Sequence, residues 1–148
     1  MSHEERNAWT SLAGNLAINA WVVWRLNALR GSGALDGPDA PQVWAQLVVW
    51  VIVASVILVV SMTVLFNVGY AIVSRGDAAA IRDERDHLFE NRGMGMTMAV
   101  IAIGFVAGFA ALAWGVRPVT VFIILYFAFA LGSLAGDAVR LATYRGDC

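Results

Sequence analysis

Lysine is absent from this 148-residue chain: all ten basic residues are arginine. Cysteine is nearly absent too, and the lone Cys148 excludes an internal disulfide and a zinc-thiolate cluster. It also lacks the following residues that a prenylation box needs. Charge is scarce at 14% of residues, and the formal net charge is −1. No basic patch is interleaved with exposed aromatics, so nucleic acid is discarded as a partner. Neither Gly-x-Ser-x-Gly nor His-Glu-x-x-His occurs, and the two histidines, His3 and His87, have no nucleophile-with-base constellation around them. The chain reads as a non-enzyme without a cofactor.

What is present in excess is apolar residue, 59% of the total. Four segments, about 8–29, 42–73, 94–115 and 119–142, each reach the roughly 20 residues needed to cross a hydrocarbon core of about 30 Å. The fold class that follows is an all-α integral membrane protein: a single domain over 1–148, built as an antiparallel bundle of four transmembrane helices. Ser2 and Glu5 form a capping box at its entry. Acids in place of a basic n-region argue that the first segment is retained rather than cleaved as a signal peptide. Gly31, Gly33, Gly37, Pro38 and Pro41 forbid a continuous helix and mark a turn before the second span.

The charge that exists is concentrated at Ile81–Arg92. Gly76 ends the preceding helix, Asp77 caps the next, and a cytoplasmic amphipathic helix over about 78–92 is the result. On a helical wheel, Leu88, Ile81, Arg92, Arg85, Phe89 and Arg82 fall on one half and Asp86, Glu90, Asp83 and His87 on the other. Arg82, Arg85 and Arg92 suit anionic headgroups, and Asp83, Asp86 and Glu90 suit a cytosolic face or a protein partner. An ordinary solvated helix with an Arg82–Asp86 pair remains the alternative. Asp83, Glu84, His87 and Glu90 could contribute to a metal site only if another helix or chain supplied further ligands. Gly93 and Gly95 then permit a bend into the third span.

Inside the membrane segments, polar residues are few. Asn15 and Asn19 stand at i, i+4 and share a face with Ser11, either as interhelical glue or as part of a solute site. Asp137 is the one carboxylate at membrane depth. It relays protons or binds a cationic solute, or else it is held by Arg140 at i, i+3 or by a neighbouring helix. Gly104 with Gly108, and Gly132 with Gly136, are small-xxx-small notches that can face each other across the third and fourth spans; alternatively, one of them dimerises with its copy in a second chain.

Arg6, Arg75, Arg82, Arg85, Arg92, Arg140 and Arg145 would lie on one side, against Arg25, Arg30 and Arg117 on the other. The excess of seven over three puts both termini and the charged helix in the cytoplasm. Trp9, Tyr70 and Tyr144 mark the inner aromatic belt, and Trp24, Trp44 and Trp114 the outer one.

Glu4-Glu5-Arg6-Asn7-Ala8-Trp9 at the first span, with Asp83-Glu84-Arg85-Asp86 before a glycine and the third span, resembles small prokaryotic four-span membrane proteins of a family of unknown function. Leu88 and Gly93 match that pattern and His87 departs from it. The resemblance implies the four-span fold and a bacterial or archaeal membrane, and no activity. The resulting expectation is a homo-oligomer, a dimer first, in the cytoplasmic membrane, acting through its charged helix on lipid and on a cytosolic or membrane protein partner as a regulator, adaptor or scaffold. The competing reading is a small transporter or channel that uses Asp137, Asn15 and Asn19.

Overall fold

The computed structural model describes residues 3–73 and 84–146, and they form four helices: α1 (His3–Gly31), α2 (Ala40–Val73), α3 (Glu84–Ala113) and α4 (Pro118–Gly146). No strand occurs among the described residues. Three helices contain stretches long and apolar enough to cross a membrane: Ala40–Met62 in α2, Asn91–Ala113 in α3 and Pro118–Thr143 in α4. α1 has the length, at 29 residues, but its apolar run is diluted by Ser11, Asn15 and Asn19.

Local chemistry sets the helix ends. α1 closes with Gly33 at φ +70°, its N–H donating to Arg30 O and that of Ala34 to Leu29 O. α3 closes in the same way, with Gly115 at φ +77°, Gly115 N–H to Leu112 O and Val116 N–H to Ala111 O. These paired bonds are the Schellman pattern, which satisfies carbonyls that a helix end leaves orphaned and needs a residue tolerant of the left-handed region. Pro118 opens α4, where its missing N–H costs nothing, while Arg117 O accepts from Thr120 and Val121.

The helices are not equally engaged. α4 packs against each of the other three, and α1 also touches α2, but α3 has no comparable contact apart from α4. The result is a hub with flanking helices rather than a closed four-helix bundle. α4 manages this with two opposite stripes. Val119 and Ile123 point into a core shared with Val22 and Leu26 of α1 and with Ala40, Trp44, Leu47 and Val51 of α2. The spacings within each helix, such as Val22 to Leu26 and Trp44 to Leu47 to Val51, are those of a single helical face. This core sits at the end of the molecule where both hairpin loops lie. Trp44 is therefore not a belt residue: it is 2% exposed and stands edge-on to Tyr126, 5.6 Å between ring centroids. Trp24 and Trp114 are exposed, as is Trp9; the side chains of Tyr70 and Tyr144 lie outside the described residues.

The second stripe of α4 faces α3 through glycine. A Cβ at Gly104 would collide with that of Ala128 and lie 3.2 Å from its Cα. One at Gly108 would lie 3.0 Å from Leu125 Cδ2, and one at Gly132 would lie 2.9 Å from Ile101 Cγ1 and 3.0 Å from the Thr97 carbonyl oxygen. One at Gly136 would collide with Thr97 Oγ1 and lie 2.9 Å from Gly93 O. Both small-residue notches are thus used within the chain. They do not oppose each other, however. Gly104 receives Ala128 and Gly132 receives Ile101, so each gap is filled by the other helix's side chain and the register is displaced by about one turn from glycine against glycine.

α3 is unbroken where the sequence places a junction between two helices. It runs without a break from Glu84 to Ala113, through both Gly93 and Gly95, so residues from 84 onward open the third helix rather than belonging to a separate surface helix. Gly93 is buried because Arg140 of α4 crosses it: a Cβ there would lie 2.6 Å from Arg140 Cγ. Close approach, not a turn, is what this glycine provides. The proposed helix start at Gly76–Asp77 and Ser2 of the capping box lie outside the described residues.

Candidate functional site: a polar seam between α1 and α4

Six polar side chains meet along the line where α1 lies against α4. Ser11, Asn15 and Asn19 recur every four residues, so they form one stripe of α1. Tyr126, Ser133 and Asp137, seven and four residues apart, form the facing stripe of α4. Asn15 is the pivot. Its Nδ2 donates to Asp137 Oδ2 at 2.9 Å and to Ser133 Oγ at 3.1 Å. Ser11 Oγ donates to the same Asp137 oxygen at 3.0 Å. One turn further, Asn19 Nδ2 donates to the Asn15 carbonyl at 2.8 Å, and Tyr126 donates its hydroxyl to Asn19 Oδ1 at 3.3 Å.

Asp137 is 8% exposed and is the buried charged residue of the described part. It does not form the i, i+3 pair with Arg140. The ion pair among the described residues is between Arg117 and Asp36, while the Arg140 stem is laid across Gly93 of α3. The carboxylate is held by a neutral hydroxyl and a neutral amide from the neighbouring helix. Hydrogen bonds to the charged group oppose the desolvation that burial imposes. No fully buried side-chain nitrogen or oxygen among the described residues lacks a partner.

The seam spans the 11 steps from Tyr126 to Asp137, about 16 Å at 1.5 Å per residue. Within the Pro118–Thr143 stretch it therefore straddles the middle. Asn15, Asn19 and Asp137, singled out from sequence, are brought together. Ser133 and Tyr126 were missed: a single serine and a single tyrosine in an apolar run carry no signal until a facing helix is known.

At the loop end, Arg117 reaches across from the α3–α4 connection. It donates to Leu35 O at 2.6 Å and to Asp36 Oδ1 at 3.3 Å, joining the two loops. This contact was also missed, since 81 residues separate the partners.

Of the charged stretch, Arg82 and Asp83 lie outside the described residues, as do the side chains of Arg85, Asp86 and Glu90 and those of Glu84 and His87 of the suggested metal set. Arg92 is exposed. Among the described residues no group of three or more His, Cys, Asp or Glu could hold a metal ion. Compared with protein-family models, with curated proteins and with solved structures, the chain matches none.

Proposed function

We propose that this is a non-enzymatic multi-pass protein of a bacterial or archaeal cytoplasmic membrane. α1 serves as a fourth span, both termini are cytoplasmic, and the charged stretch around Ile81–Arg92 acts on lipid and on a protein partner as a regulator, adaptor or scaffold. The observation that carries this reading is the acceptance by Asp137 of hydrogen bonds from Ser11 and Asn15. The intramembrane polar groups engage one another between helices, and interhelical hydrogen bonds of this kind stabilise by about 0.6 kcal/mol each on average. That is the behaviour of groups holding helices together. The distribution of arginine supports the orientation, and homodimerisation fits a chain whose α2 and α3 leave wide apolar faces exposed.

The test is charge reversal. Arg82, Arg85 and Arg92 are changed together to Glu in one variant, and Asp83, Asp86 and Glu90 to Lys in another, followed by crosslinking in native membranes. A partner adduct that disappears in either variant while both still insert supports the adaptor reading. Adducts unchanged in both overturn it.

One observation favours the transporter reading: the seam straddles the middle of a candidate span and ends in a carboxylate. Proteoliposome flux of a monovalent cation that is abolished by Asp137→Asn would select that reading in place of the first.

A further inference from the structure

We infer that α1 is a conditional span, which enters and stays in the membrane only when docked on α4, with Asp137 as the acceptor that admits it. This rests on the proposal that α1 is the fourth span and specifies how it becomes one.

Two independent observations converge. First, α2, α3 and α4 each contain a stretch apolar enough to cross a membrane unaided, whereas α1 does not, although its 29 residues are ample in length. Second, three of the residues that dilute α1, Ser11, Asn15 and Asn19, are the ones hydrogen-bonded into the seam, while Arg25 and Asn27 are exposed nearer its loop end. Ser11 and Asn15 donate to Asp137, Asn15 also to Ser133, and Asn19 accepts from Tyr126. In hydrocarbon, an amide or hydroxyl without a partner is strongly penalised. Facing α4, the same groups are satisfied, and Val22 and Leu26 on the same helix reach the core shared with α2 and α4. Elsewhere on α1, Leu16, Trp21, Val23 and Trp24 are exposed and suited to lipid, with exposed Arg25 and Asn27 toward the loop end. The dependence is mutual, because Ser11 and Asn15, which donate to the Asp137 carboxylate, both come from α1.

Cysteine accessibility tests this in the full chain, with Cys148→Ser as background and Asn7→Cys as the reporter. When α1 is inserted, position 7 lies at the end opposite the hairpin loops; when α1 is not inserted, it remains on the loop side. A membrane-impermeant maleimide is applied from the loop side. The parent is protected. Asp137→Leu, which removes the acceptor while making α4 more apolar, shifts the uninserted-to-inserted ratio by roughly tenfold, the equivalent of two lost interhelical bonds. Ala138→Leu, at an exposed position beside it, leaves labelling at the parental level. Adding Ser11→Leu, Asn15→Leu and Asn19→Leu to Asp137→Leu restores protection, because α1 then crosses on its own composition. If Asp137→Leu stays as protected as the parent, α1 inserts unaided and the conditional span is overturned while the fourth span stands. If the parent itself is labelled from the loop side, the fourth-span reading falls and the inference with it.

Discussion

Two glycines nine residues apart in sequence, Gly95 and Gly104, separate the roles that glycine takes in α3. Gly95 has nothing within 4 Å of where a Cβ would stand, whereas Gly104 is filled by Ala128. Gly95→Ala should raise thermal stability in detergent by about 0.5–1 kcal/mol, the ordinary gain of alanine over glycine within a helix. Gly104→Ala, whose methyl has no room, should lower it by about 1–3 kcal/mol. Because Gly95 was a candidate hinge from sequence, a loss of stability or insertion in Gly95→Ala would argue for a bend there after all. At this scale the residues were only half legible. Ser11, Asn15, Asn19 and Asp137 stand out as polar groups in apolar surroundings, and periodicity alone puts the first three on one face. Which carboxylate they meet, and that Ser133 and Tyr126 complete the line, depends on a pairing between segments more than 100 residues apart, which one sequence does not encode locally.

α2 shows how differently one helix can behave along its length. Near its start, Trp44, Leu47 and Val51 are buried; further along, Val56, Ile57, Val59, Val60 and Leu65 are exposed apolar residues. Trp44→Ala removes a large side chain from the shared core and should cost about 3–5 kcal/mol, read as a lowered melting temperature in detergent. Trp50→Ala, at a position 70% exposed, should change it little. Equal effects from the two substitutions would mean that α2 is packed along both faces by something other than this chain. The position of Trp44 near the start of a hydrophobic run suggests a belt residue, but the side chain is buried against Tyr126, a contact that composition cannot reveal. Span existence, by contrast, was legible for α2, α3 and α4, since length and apolar content are local properties. Gly93 and Gly95, inside α3, do not interrupt it, because glycine signals close helix approach as readily as a helix break.

For the molecule as a whole, the two hairpin loops share one end and are joined by Arg117 through Leu35 O and Asp36. The proposed orientation, drawn from the arginine imbalance, would put that end outside. In a Cys148→Ser background, a cysteine replacing Asp36 should react with an impermeant reagent added to intact cells, and one replacing Thr143 should react only after the membrane is opened. Labelling of position 143 in intact cells would invert the orientation and remove the charged stretch from the cytosol.

α4, which packs against every other helix, is also the last of the four in chain order. Between the end of α1 at Gly31 and the end of α4 at Gly146 lie 115 residues (146 − 31). At about 5–20 residues per second of synthesis, that gap is roughly 6–23 s. Until Asp137 is added, 106 residues after Gly31 (137 − 31), Asn15 and Ser11 exist without the carboxylate they bind in the folded chain. A ribosome that pauses or stops within α4 leaves α1, α2 and α3 without the helix that joins them. The integrity of the assembly is thus decided only once α4 has been made, and a chain truncated within it would expose its unmatched polar side chains to whatever surveys nascent membrane proteins.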